Sequence, residues 1–221
     1  MLSERLLTIS KLIDKNKVVF DVGSDHALLP CFLVREGICP KAYAADNKEG
    51  PLNRAKETIR RYGLEGKVIP VLSDGLENIR EDVDIITICG MGFHTVKKIL
   101  DGHDLSACEK IIVQINKDNE LLREYLSDHN YTILDETVIF DGFYYQVEIF
   151  NAKHHNRYGS LEIRYGPRLL EKMDDTFKDY LRYRIAKLND IYSRSHNEDL
   201  LKEAEEIKMI LNGRSDVGKS L

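Results

Sequence analysis

The sequence predicts an α/β domain, with a mostly parallel seven-stranded sheet closed by a β-hairpin, followed by a small helical domain. Three observations lead there. Short apolar runs alternate with helix-patterned segments over residues 1–150, the pattern of a parallel sheet covered on both faces. The last two strand-like runs are separated only by Asp141 and Gly142, the signature of a two-residue hairpin. From about Gly166, apolar residues recur at spacings of three and four, a helical period.

Residues 2–13 carry apolar side chains at 2, 6, 9, 12 and 13, with Ser3 placed as an N-cap. Residues 17–22 (KVVFDV) suit a buried strand, and residues 26–36 a helix ended by Gly37. Residues 42–45 form a second strand ending in Asp46. Residues 51–62 are an amphipathic helix, with Pro51 in its first turn and Gly63 at its end. Strands follow at 68–72 and 83–89, then a helix from Thr95, a strand at 110–115 and a helix at 119–128. Runs 132–140 and 143–150 make the hairpin, so the last strand runs antiparallel. Five α/β units closed in this way build a class I, Rossmann-like methyltransferase sheet. A nicotinamide-binding domain keeps its last strand parallel.

In the C-terminal part, Leu170, Met173, Phe177, Leu181, Arg184, Leu188 and Tyr192 share one helical face. After a polar break, Leu200, Ala204, Ile207 and Leu211 do the same. This predicts two antiparallel helices, as a short coiled coil or as a cap on the sheet. The expected domains are 1–160 and 161–221, with the last residues, GRSDVGKSL, frayed.

At 221 residues, 43% hydrophobic and 31% charged, the chain can bury a core, which excludes a disordered protein. Its net charge of −5 argues against a strongly basic nucleic-acid binder. The charge is unevenly placed, however. Residues 1–150 hold 18 basic and 25 acidic side chains, a net of −7, whereas residues 151–194 hold 10 and 6, a net of +4. No run is apolar for long enough to span a bilayer, and the charged N-terminus lacks a signal-peptide core. Cysteines 31, 39, 89 and 108 form no CxxC pair. They read as reduced thiols of a cytoplasmic protein with no metal site and no membrane partner, a monomer being the favoured state.

In an open parallel sheet the ligand sits beyond the C-terminal strand ends. There the sequence places Asp21, Gly23, Ser24 and Asp25, then Asp46 and Asn47, then Ser73, Asp74 and Gly75, then Cys89, Gly90, Met91 and Gly92, and finally Gln114 and Asn116. An acid at 46 can accept bonds from both ribose hydroxyls of an adenosyl ligand, and one at 74 a bond from the adenine amino group. The loop at Gly23 is not GxGxxG, and Asp25 would repel a pyrophosphate. Carboxylates at 21 and 25 instead tolerate a cationic sulfonium, which favours S-adenosylmethionine over NAD or ATP.

Phe20-Asp-Val-Gly-Ser-Asp-His-Ala-Leu-Leu-Pro30, Glu49-Gly-Pro51, Ser73-Asp-Gly75, Ile88-Cys-Gly-Met-Gly92 and Gln114-Ile-Asn116 together resemble the bacterial tRNA (adenine-N1) methyltransferases acting at position 22, the TrmK family. The resemblance covers nearly the whole chain. It implies a class I fold, S-adenosylmethionine as methyl donor and tRNA as substrate. Two departures stand out. Phe93 replaces a glycine of the family's GMGG, and Ile115 replaces the proline of its QPN.

Adenine N1 carries a lone pair and no proton, so such a reaction needs alignment and desolvation more than a base, on a base drawn from its stack. Asp25 is the expected catalytic residue, stabilising the cationic product, against an alternative role as a turn cap. Asn116 is expected to orient the exocyclic amine. Phe93 and His94 are expected beside the substrate, and Tyr144 or Tyr145 to stack on a base. Arg157, Arg164 and Arg168, within a basic stretch that includes Lys153, His154 and His155, are expected to meet tRNA. The helix bearing Arg54, Lys56, Arg60 and Arg61 reads as merely solvated. Two other functions stay open: methylation of a protein or small molecule, and a non-enzymatic module binding an adenosyl ligand or RNA.

Overall fold

The computed structural model describes residues 2–153 and 157–213. His154, His155 and the C-terminal residues from 214 lie outside it. The chain divides into two compact units, Met1–Arg168 and Leu169–Leu221.

The first unit runs α1 (Glu4–Lys11), β1 (Val19–Val22), α2 (Leu28–Arg35), β2 (Ala42–Asp46), α3 (Glu49–Arg61), β3 (Val68–Leu72), β4 (Ile85–Met91), α4 (Phe93–Leu100), β5 (Lys110–Ile115), α5 (Asn119–Asp128), β6 (Thr132–Asp141), β7 (Phe143–Asn151) and α6 (Ser160–Tyr165). The sheet order is β3-β2-β1-β4-β5-β7-β6. β1 pairs in parallel with β2 and β4, β4 with β5, and β7 is antiparallel to both of its neighbours. The order reverses at β1, so the crevice of this fold opens above β1 and β4.

Every residue of β1 is buried, which explains its uninterrupted apolar run. One face packs Ile9, Leu33, Ala55 and Ile59 of α1, α2 and α3. The other packs Phe93 and Val96 of α4 with Leu122, Tyr125 and Leu126 of α5. The hairpin turn is tighter than expected: Asp141 pairs with Phe143, leaving Gly142 alone at φ +72°. The helix expected from His26 starts instead as a 3-10 turn, Asp25–Ala27, with His26 and Ala27 both at positive φ.

A charged cluster is buried between α5, α6 and the hairpin. Arg123, Glu136 and Glu148 are wholly inaccessible to solvent. Arg123 donates to Glu136 at 2.6 Å and to Gln146 at 2.5 Å, lies 3.3 Å from Glu148, and reaches the carbonyls of Ile163 and Arg164 at 3.4 Å. Gly166 closes the cluster: a Cβ there would lie 2.7 Å from Glu136 Oε1. These contacts tie α6 to the sheet, so the first unit extends past residue 160 to Arg168.

Glu148 stands fully buried, 3.3 Å from the Arg123 guanidinium. Burial accordingly pushes the Glu148 carboxyl up to about 7, against the attraction of Arg123. Since its folded value exceeds the unfolded one, the folded state holds the proton more tightly. Stability should therefore fall as pH rises from about 4.5 to 7 and then level off. Denaturant titrations at several pH values should show this decline, and Glu148→Gln should flatten it.

The second unit comprises the end of α7 (Pro167–Lys172), α8 (Asp175–Ser195) and α9 (Glu198–Leu211). Asp174 caps α8 by accepting from Phe177 N at 2.8 Å, and Asn197 caps α9. Phe177, Leu181 and Leu188 on α8 and Ala204 and Ile207 on α9 are buried, and Arg184 pairs with Glu203 between the helices. Among the described residues no helix is long and apolar enough to cross a membrane, and no three potential metal ligands cluster.

Candidate active site

A cleft of about 680 Å³ opens at the C-terminal strand ends. Gly23 and Asp25 from the β1 loop, Asp46 and Asn47 after β2, Ser73, Asp74 and Gly75 after β3, and Met91 and His94 after β4 all line it. Sequence reasoning missed Lys48, Pro51, Thr95, Lys98 and Ile99 in its wall.

Gly23 has φ +71°, and a Cβ there would lie 2.2 Å from Met91 Cε. The positive φ is what favours a glycine there, since the flexible Met91 side chain could move aside. Asp21 lies beneath, buried, accepting from Thr87 Oγ1 at 2.6 Å. Burial pushes its carboxyl up to about 6, while hydrogen bonds from Ser24 and Thr87 hold it lower. Asp21 thus braces β1 against β4 and does not line the cleft. Ser24, also buried, donates its N–H to Ala45 O at 2.9 Å.

Asp25 is half exposed and takes two bonds from Arg54, at 2.8 and 3.0 Å. This corrects the reading of Arg54 as merely solvated. The pair joins α3 to a loop whose two successive positive-φ residues, His26 and Ala27, need such support.

Asp46 Oδ1 accepts from Lys48 N at 3.0 Å, and no partner is found for Oδ2 among the described residues. Asp74 accepts from Asn47 Nδ2 and from Lys98 Nζ, each at 3.2 Å. The Lys98 ammonium, with Asn47, holds the Asp74 carboxyl below its usual range. Of the three acids on the cleft wall, Asp25 and Asp74 have cationic partners, and among the described residues none is found for Asp46.

At the end of β4 the pairing with β5 slips between Cys89 and Met91, and Gly90 takes φ +79°. Asn116 secures the bulge: its N–H donates to Met91 O and its Nδ2 to Gly90 O, both at 3.0 Å. Its amide oxygen accepts from Gln114 Nε2 at 3.5 Å, and exposed Asn116 is not among the residues that line the cleft. Burial raises the Cys89 thiol, so it stays protonated. Gly92 caps α4.

Phe93 is not on the cleft. Its ring is 9% exposed and packs on Tyr125 and His94, because Phe93, Val96 and Leu100 share the buried face of α4. Of the expected tRNA-contacting arginines, Arg157 is exposed. Arg164 lies 3.9 Å from Glu120. Arg168 turns inward: its Nε donates to Ile133 O at 3.2 Å and its N–H to Glu136 at 2.8 Å. It holds the junction to the sheet.

The sheet order, the acidic residues at successive strand ends and the missing phosphate-binding loop define a class I methyltransferase domain. Residues 2–147 match the family model described as a methyltransferase domain. The tRNA (adenine(22)-N(1))-methyltransferase of Bacillus subtilis is 37% identical over 155 residues, covering 68% of this chain and 65% of that protein. The chain thus aligns with just under two thirds of the length of that curated relative. Two solved structures match more fully. Mycoplasma capricolum TrmK in complex with S-adenosyl-homocysteine is 32% identical, with a TM-score of 0.80, covering 97% of this chain and 98% of that one. Streptococcus pneumoniae Sp1610 in complex with S-adenosyl-L-methionine is 29% identical, with a TM-score of 0.87, covering 96% and 100%. The chain belongs to the methyltransferase family that includes these TrmK proteins.

Proposed function

We propose that the chain is an S-adenosylmethionine-dependent methyltransferase that modifies N1 of adenine 22 in tRNA. What carries this reading is a likeness to TrmK structures that runs through both units of the chain.

The residues of the cleft fit the cofactor. Asp46 offers a free carboxylate oxygen at the end of β2, where a ribose diol needs an acceptor. Asp74, fixed by Asn47 and Lys98, is placed to meet an adenine amine, and Gly23 presents bare backbone. When bound, the cofactor supplies an electrophilic methyl group on a sulfonium.

Adenine N1 needs no general base, so this chain's task is to hold the base and to offset its growing positive charge. The Asn116 side chain, anchored through Nδ2 on Gly90 O, is the proposed acceptor for the exocyclic amine. Asp25, on the cleft wall, is the proposed source of negative charge. Arg54 shares that charge, so the electrostatic gain is modest. Asp25→Ala should therefore lower kcat about five- to tenfold with cofactor affinity retained; full turnover would leave Asp25 only a loop-bracing role. Arg157 and Lys153 in the first unit, and separately the exposed cations of α8 in the second, are the proposed tRNA contacts.

The test is direct. Unmodified tRNA is incubated with the chain and methyl-labelled cofactor, and the modified nucleotide is mapped. Label at N1 of adenine 22 is the expected result. Label elsewhere, or on protein only, overturns the substrate assignment.

A further inference from the structure

The tip of the β6–β7 hairpin carries large apolar side chains in the open. Phe143 is 70% exposed and Phe140 57%. The Phe140 ring leans on Tyr144, with centroids 4.9 Å apart. Arg5 braces the tip: its guanidinium lies 4.9 Å from the Tyr145 ring centroid, and its N–H donates to Asp141 at 3.3 Å. Phe140 pairs with Tyr144 and Phe143 with Asp141, so the two exposed rings stand on opposite faces of the tip, Phe143 on the face that Arg5 braces.

Topology places the tip on the catalytic edge. β6 runs parallel to β5, so the hairpin turns over at the end of the sheet where the cleft opens. Val113 pairs with Glu148, and the hairpin runs on past Ile115, where β5 ends, by about 10 Å. β7 stands two strand spacings, also about 10 Å, from β4. Between them, at the end of β5, lie Asn116 and Lys117, whose side chain is 79% exposed with its ammonium 4.0 Å from Asp118.

Exposed rings beside an exposed cation form the recognition set for unstacked nucleotides, the rings taking a base and the ammonium a phosphate. We propose that Phe143 and Phe140, one on each face of the tip, each meet a tRNA base near the target adenine and position the strand, with Lys117 meeting its backbone. This rests on the proposed tRNA activity. Phe143 and Phe140 are positioning residues, remote from the methyl group.

The test uses the full chain carrying Phe143→Ala and Phe140→Ala, singly and together. The double variant should raise KM for tRNA at least about fivefold. It should keep kcat at saturating tRNA and the affinity for S-adenosylhomocysteine, and Phe143→Tyr should keep the normal KM. An unchanged KM in the double variant, with the parent chain active, overturns the proposal alone. So does a parent dimer that becomes monomeric in the variant without a change in KM, which would assign the tip to a second copy. A parent chain that binds cofactor yet leaves tRNA unmethylated overturns the tRNA reading and this one with it.

Discussion

Replacing Arg123 by methionine should destabilise the protein by about 3–5 kcal/mol. The guanidinium is the cationic partner of two fully buried carboxylates, Glu136 and Glu148. Removing it takes this cation from both, leaves Glu148 with the neutral amide of Asn119, and strips the carbonyls of Ile163 and Arg164 of a donor. Methionine preserves much of the volume, so the loss is electrostatic and not a cavity effect. A fall in Tm of roughly 6–20 °C is expected for a unit of this size. Because burial raises the Glu148 carboxyl to about 7, the deficit should grow with pH as that group ionises. Adding Glu136→Gln and Glu148→Gln to Arg123→Met should recover a large part of it, since neutral amides tolerate the site better than unpaired charges. Failure of that rescue would mean that Arg123 acts through packing.

Replacing Asp46 by alanine should weaken S-adenosylmethionine binding about 10- to 100-fold, the range for one hydrogen-bonding charged group. The side chain serves two partners through different oxygens. Oδ1 accepts the N–H of Lys48 and shapes the turn, while Oδ2 is free for the ligand. Asp46→Asn separates the roles, because its amide oxygen can keep the turn. Calorimetry with a cofactor analogue lacking the ribose hydroxyls makes the result specific. Against that analogue, parent and Asp46→Ala should bind alike. An equal loss for both ligands would reassign Asp46 to loop structure.

The sheet could be read from the chain because strand and helix periods are local. Buried parallel strands such as β1 and β5 appear as short apolar runs, and the hairpin appears as two such runs without a helix between them. Gly23, Asp46 and the Ser73–Gly75 turn were likewise legible, since each sits at a strand end and this fold places strand ends around one cleft. Phe93 was misplaced despite an available signal. Its spacing from Val96 and Leu100 marks the buried face of α4, which outweighs its nearness to Gly92. Lys98 gave no signal, because its bond to Asp74 depends on how α4 is rotated against β3.

The sequence alone therefore determined the class of fold, the acidic strand-end cleft and the basic excess after residue 150, all carried by composition and short-range periodicity. Tertiary structure decided which of these charges remain available. It pairs Asp25 with Arg54 and Asp74 with Lys98, and turns Arg168 inward. It also gathers Arg123, Glu136, Gln146 and Glu148 into one buried cluster, and lifts Phe140 and Phe143 into solvent beside the cleft. The physical reason is range. A residue's helical or strand phase is set by its near neighbours, whereas the fate of a charge or an aromatic face depends on partners that only the folded chain brings within a few ångströms.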